Sequence, residues 1–249
     1  MLALNLDKYQ PGLSVDCVIL GFHQNELKAL LLKMKNMDKW SLPGGFVEKD
    51  EDVDKAAVRV LQERTGLKNI FLRQFHLFGE VDRGDRGHVD GLLQKGVIGK
   101  DLYGWFKQRF VTVGYYALVE YSQVEAPQPD YFSESCEWCA INGLPDLMLD
   151  HAGILEKAHE VLKRQLNYQP IGLNLLPKRF TMPELQALYE TLLGKALDRR
   201  NFQRKMLGYG ILIRTGERRT GGAHKSPWLY EFDEEKYRRG LAEGLNVSW

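Results

Sequence analysis

The stretch from Gly45 to Leu67, GFVEKDEDVDKAAVRVLQERTGL, constrains this chain more than any other part of it. Val53, Ala56, Ala57, Val60 and Leu61 recur at intervals of three and four, the period of an amphipathic helix. The spacing predicts a helix from Glu51 to Arg64, with Gly66 as its stop. On such a helix positions 60, 63 and 64 share a face. That face carries an apolar residue, an acid and a cation: Val60, Glu63 and Arg64. The preceding run Trp40–Val47, WSLPGGFV, has the proline and glycines of a turn-rich loop.

The placing of Gly45, Glu51, Arg59, Leu61, Glu63, Gly66 and Leu67 resembles the Nudix box, G-x5-E-x7-R-E-U-x-E-E-x-G-U with U a bulky aliphatic. WSLPGGFV is similar to the loop that shapes the ligand cleft in that family. The resemblance implies an α+β chain whose N-terminal part is a Nudix-fold α/β/α sandwich. Val60 and Arg64 depart from the pattern, since they stand where the family has glutamates that hold divalent metal against a pyrophosphate. Magnesium takes a near-octahedral set of oxygens, and here one ligand has become apolar and another a cation. Glu63 therefore reads as a salt-bridged surface acid, and Glu51 as a residue that shapes the joint between loop and helix. No catalytic residue, metal ligand or cofactor is assigned. Magnesium enters only on the alternative of an active hydrolase of ADP-ribose or a sugar nucleotide, with a site rearranged around Glu48, Asp50, Glu51, Asp52 and Asp54.

A length of 249 residues suits two modest domains, placed at 1–166 and 167–249 around the helix breaker Tyr168-Gln169-Pro170. The balance of 44% hydrophobic and 27% charged residues supports ordinary soluble cores. Cys17, Cys136 and Cys139 make no even disulfide framework, and a lone CxxC lacks the ligands of a zinc site. Buried thiols are the expectation. With no signal-like start and no run of about 18 apolar residues, the protein is expected in the cytoplasm. The net charge of +1 hides an asymmetry: residues 171–249 hold 14 Lys and Arg against 9 Asp and Glu, leaving 20 against 24 in residues 1–170. One domain only is suited to an anionic partner.

In the first half, Ser14–Gly21, Leu27–Lys33, Ile70–Phe78, Val111–Glu120 and Trp138–Ala140 read as strands. Leu144–Leu147 reads as a turn into a short helix, and His151–Leu166 as a helix. The segment from Arg83 to Gln108 is longer than an ordinary connection. Its run LeuTyrGlyTrpPheLys is either a helical lid on the cleft or a decorated surface loop.

The second half reads as a winged helix-turn-helix. Thr181, Pro183 and Glu184 open one helix, and Leu185, Leu188, Tyr189 and Leu192 share a face of it. Asp198 caps a short basic helix to Leu207, with Phe202, Met206 and Leu207 available to face inward. Strands Tyr209–Arg214 and Trp228–Phe232 flank a loop holding Arg218, Arg219, His224 and Lys225. Arg199, Arg200, Asn201, Gln203, Arg204 and Lys205 offer the donors that read base edges and hold phosphates. Lys178 and Arg179 are placed to clamp phosphate, and Arg218, Arg219 and Lys225 to touch the backbone or minor groove.

A degenerate Nudix domain followed by LNLLPKRFT, ELQALYE and DRRNFQRK resembles the Nudix-related transcriptional regulators of bacteria. The resemblance implies a homodimer on a palindromic double-stranded operator and a small-molecule effector. Effectors in that family are ADP-ribose and related NAD metabolites, or free pentoses such as arabinose. WSLPGGFV and VLQERTGL are closer to the sugar-responsive branch. The ligand cleft is assigned to Trp40, Phe46, Glu63, Arg64, Asp82, Arg83 and Arg109. Arg83 and Arg109 either bind the ligand's hydroxyls or phosphates or form salt bridges with Asp82 or Glu80. A hydrolase with a DNA-binding appendage, and a structural protein that binds RNA, are the readings from other classes.

Overall fold

The computed structural model describes residues 5–68, 70–81, 83, 86–166, 169, 171–220 and 226–243. The chain forms two compact units, Met1–Gly21 with Lys28–Ala158, and Phe22–Leu27 with His159–Trp249. No helix among the described residues is long and apolar enough to cross a membrane.

The first unit is built on a mixed sheet of seven strands: β1 Tyr9–His23, β2 Glu26–Met34, β3 Trp40–Ser41, β4 Gly44–Glu48, β5 Phe71–Phe78, β6 Val111–Val119 and β7 Ser133–Ala140. Their order is β3-β2-β1-β6-β5, with β4 paired to β1 and β7 to β2. β1 and β6 run parallel at the centre, from Leu13 opposite Val111 to Gly21 opposite Val119. Residues 15–21 of β1 are all buried, as a strand covered on both faces requires. Helix α1, Val53–Thr65, buries Ala56, Ala57, Val60 and Leu61 against Val15, Cys17 and Ile19 of β1 and Val113, Tyr115 and Ala117 of β6. Gly66 ends it in the left-handed region at φ 71°, where a side chain is strained.

The segment after Arg83 folds as helices α2 Arg86–Gln94 and α3 Lys100–Lys107. Val89, Leu92, Val97, Ile98 and Leu102 bury with Met34 in a second small core, so the segment is a packed element rather than a surface decoration. β7 begins five residues before the strand expected at Trp138 because Ser133–Glu137 also pair with β2. Leu144–Leu147 forms no helix, and Leu147 instead bridges Trp40. Helix α4 spans His151–Gln165.

Strand alternation separates the cysteines. Cys136 is buried and Cys139 half-buried, and all three thiols are free. Residues three apart on a strand point to opposite faces, so the CxxC forms no paired site. Burial pushes the Cys136 thiol up to about 12 and raises Cys17 and Cys139 as well.

The second unit carries β8 Phe180–Thr181, α5 Met182–Leu193, α6 Arg199–Gly208, β9 Leu212–Arg218, β10 Trp228–Phe232 and α7 Glu234–Glu243. Thr181 and Glu184 form a full capping box at the start of α5, and Asp198 accepts from the Asn201 N–H at the start of α6. The three strands pair in the order β8-β10-β9. β9 starts later than expected because Tyr209 and Gly210 still belong to the turn after α6. Phe202 and Met206 are buried, but Leu207 is 44% exposed. One position past Met206, it stands about 100° further round the helix, off the buried face.

Candidate functional site

A cavity of about 500 Å³ opens in the first unit beside α1. WSLPGGFV builds one wall by close approach, not by turn geometry alone. Gly44 pairs with Asp16 and Gly45 with Val15 across β4 and β1. A Cβ on Gly44 would stand 2.6 Å from Asp16 Oδ1, and one on Gly45 2.7 Å from Val60 Cγ2. Both glycines let neighbouring side chains reach the strand.

Glu51 and Arg59 fix the joint between this wall and α1, as expected for Glu51. Arg59 Nε and Nη2 donate to the two Glu51 carboxylate oxygens at 2.9 and 2.8 Å, and Nη2 donates to the Phe46 carbonyl at 2.9 Å. The fork holds the Glu51 carboxyl below its usual range. Glu63 is 46% exposed and divided between Arg64 (3.1 Å) and Arg59 (3.7 Å). Val60 is buried on Gly45. The face that carries metal ligands in Nudix hydrolases thus presents one engaged carboxylate, a methyl surface and a guanidinium, which does not fit magnesium. Among the described residues no cluster of three acids, histidines or cysteines is placed to hold a metal ion.

A buried charged group forms the floor. Arg83 donates from Nε and Nη2 to Asp150 at 2.8 and 2.9 Å and lies 3.5 Å from Asp16. Its partner is therefore neither Glu80 nor, among the described residues, any nearby acid in sequence. His151 Nδ1 accepts the Leu42 N–H at 2.9 Å, which leaves the proton of the neutral ring on Nε2, 3.9 Å from Asp16. Burial lowers the His151 pKa more than Asp16 and Asp150 raise it. The unfolded chain then takes up this proton first, from about pH 6.5 downward, and stability falls with pH in that window by up to about 1.4 kcal/mol per unit. Urea unfolding at pH 7.5 and 5.5 checks it: His151→Gln, which keeps an acceptor for Leu42, should flatten the difference.

The far wall comes from the inserted helices. Val89, Leu92, Ile98 and Phe106 line the cavity, and Phe46 meets Tyr9, Trp105, Phe106 and Phe110 at ring distances of 5.3–5.7 Å. Of the residues assigned from sequence, the cavity brings together Phe46, Glu63, Arg64, Arg83 and Arg109. Arg109 donates to the Gly79 carbonyl. Trp40 is not among the lining residues: Ser41 faces the cavity, and Trp40 lies on the other side of the pleat. Its backbone instead donates to Asp146 and accepts from Met148. Asp82 lies outside the described residues. Asp16, Asp150 and His151 escaped sequence reasoning because their partners are far along the chain. The aromatic content of LeuTyrGlyTrpPheLys was the one available signal for the inserted wall.

In the second unit, Arg199, Arg200, Asn201 and Arg204 are exposed on α6, while Gln203 and Lys205 are half-buried. Burial lowers the Lys205 pKa to about 8. Arg199 and Arg200 occupy the first turn of α6, which contains no acid. Cations there oppose the helix dipole, whereas a phosphate would meet both guanidinium groups and the free amides. Lys178 is exposed. Arg179 pairs with Glu217 and Glu231, and Arg219 with Glu184, all near the surface. Such pairs are weak enough to exchange for phosphate. Arg218 and Arg214 stack on Trp228 at 4.0 and 4.8 Å. Arg214 and Trp228 were missed, although positions 214 and 218 share a strand face. Lys225 lies outside the described residues.

The family model described as the NUDIX domain matches residues 10–158, and that described as the NrtR DNA-binding winged helix domain matches residues 172–232. The chain is 31% identical to the "ADPR responsive transcriptional repressor NtrR" of Acinetobacter baylyi, over 93% of this chain and 86% of the relative. It is 30% identical to an "ADP-ribose pyrophosphatase" of Methanocaldococcus jannaschii, over 61% of this chain and 78% of that protein. Shewanella oneidensis NrtR in complex with a 27mer DNA superposes with a TM-score of 0.72 at 27% identity, covering 91% of this chain and 95% of that one. The Acinetobacter baylyi relative is ADP-ribose responsive, whereas WSLPGGFV points to the pentose class.

Proposed function

This chain belongs to the Nudix family, in the branch that carries an NrtR winged helix, and on that premise we propose that it is a transcriptional repressor whose Nudix domain senses ADP-ribose. The observation that carries the effector class is the cavity. Its volume of about 500 Å³ sits within the usual range of about 300–1,000 Å³ for small-molecule sites. A free pentose would occupy a smaller part of that volume and bring no phosphate to its arginines. A nucleoside diphosphate sugar suits its lining, with Arg64 and Arg109 for the diphosphate, the ring of Phe46 with Phe106 for the base, and Asp16 for sugar hydroxyls. The protein works in the cytoplasm as a homodimer, and its operator is palindromic.

Fluorescence anisotropy tests this, using duplexes enriched by the protein from a randomised pool. ADP-ribose should change DNA affinity by about 5–150-fold, the span of ordinary allosteric coupling, while arabinose and xylose leave it unchanged. The enriched sites should show two symmetric halves about one helical turn apart, or a multiple of it. A response to arabinose alone would move the protein to the sugar-responsive branch. Saturation by ADP-ribose with no effect on DNA affinity would end the proposal.

A further inference from the structure

We propose that Arg64 stands in for the metal: its guanidinium, fixed where Nudix hydrolases carry a metal-binding glutamate, holds the effector's diphosphate, so that the effector binds without a divalent cation. The proposal rests on the ADP-ribose reading above and concerns the chemistry by which that ligand is held.

Three features of the helix face carry it. Arg64 is 9% exposed and lines the cavity. Two of its nitrogens are engaged: Nη1 donates to the Gln128 carbonyl and Nη2 to Glu63, each at 3.1 Å. Those bonds fix the plane of the group, while the buried Nε–H has no acceptor among the described residues. Each Nη atom carries two hydrogens and has spent one, so the group keeps donors for a ligand in the cavity it lines. Second, Val60 closes the next ligand position with methyl groups pressed on Gly45, and water-bearing magnesium has no oxygen to use there. Third, a metal at Glu63 would compete with two guanidinium groups that already share that carboxylate.

A guanidinium is suited to the exchange. It stays charged at every accessible pH, and its planar fork matches phosphate oxygens. It also supplies no metal-bound water to attack the diphosphate, so the effector stays intact while bound. A sensor needs that and a hydrolase does not. Arg59 is less suited, because Glu51 and the Phe46 carbonyl take its Nε–H and both Nη2 hydrogens, whereas Arg64 keeps one hydrogen on each Nη.

Isothermal titration of the full-length protein with ADP-ribose, in EDTA and in magnesium, tests the proposal. The wild-type affinity should agree within about twofold between the two buffers. Arg64→Glu, which rebuilds a pair of carboxylates with Glu63, should weaken binding in EDTA by about tenfold or more, as expected for losing a charged hydrogen bond, and magnesium should recover part of the loss. Arg64→Lys should fall between, since an ammonium keeps the charge and loses the fork. Wild-type binding abolished by EDTA, or unchanged EDTA affinity in Arg64→Glu, overturns the metal replacement while the ADP-ribose reading stands. Absence of binding in both buffers overturns both. Should Arg64→Glu fail to fold, the wild-type comparison and Arg64→Lys decide alone.

Discussion

Replacing Arg83 with alanine lowers the free energy of unfolding by about 3–5 kcal/mol, the range for removing one member of a buried charge pair. Arg83 and Asp16 have side chains only about a tenth exposed, and Asp150 is a quarter exposed. Asp16 cannot turn to solvent, because it lies on the central strand with its carboxylate against Gly44. Without the guanidinium, both carboxylates lose their cation, and Asp16 is left near a neutral His151. The triple variant Arg83→Met, Asp16→Asn, Asp150→Asn should regain much of the loss, since it removes the charges together. Urea unfolding followed by circular dichroism measures both. A loss below about 1 kcal/mol, the scale of exposed pairs, would mean that Arg83 is not committed to the fold and remains available to the effector.

The double substitution Arg199→Ala, Arg200→Ala weakens operator binding by about a thousandfold. Each contact to phosphate or base is worth about 1 kcal/mol or more, and the proposed homodimer would present each arginine twice. The salt dependence separates the roles: if all four contacts are to phosphates, the slope of log affinity against log salt drops by about 4. The fold should be unharmed, because both side chains are exposed and sit at the wrong end of the helix dipole for stability. ADP-ribose affinity should be unchanged. A loss of less than tenfold would remove the first turn of α6 from the DNA interface, and a parallel loss of effector affinity would break the separation of sensing and DNA binding.

Local chemistry made much of the fold readable. The spacing of Val53 to Leu61 and the stop at Gly66 marked α1, and Thr181, Glu184 and Asp198 marked the starts of α5 and α6. These signals lie within a few residues of the structure they produce, so sequence order alone carries them. Phe46, Glu63, Arg64, Arg83 and Arg109 stand together at one cavity, and for all but Arg83 the motif is itself one loop and one helix face with the strand beyond. Trp40 is off the cavity lining by a single residue of strand alternation, and Leu207 is off the buried face of α6 by one position of helical phase. A pattern fixes the period of an element more firmly than its rotation about its own axis.

The sequence by itself determined the two-domain plan, the loss of the metal-binding acids at Val60 and Arg64, and the basic surface of α6. Each is a property of residues adjacent along the chain. Only the tertiary structure decided what those residues do. It gave Arg83 to Asp150, 67 positions away, rather than to Glu80 close by in sequence. It turned the segment after Arg83 into a cavity wall by burying Val89, Leu92 and Ile98 with Met34. It left the Nε–H of Arg64 unmet among the described residues. Pairings across such distances depend on which surfaces the sheet brings together, and burial then makes each satisfied or unsatisfied charge costly enough to matter.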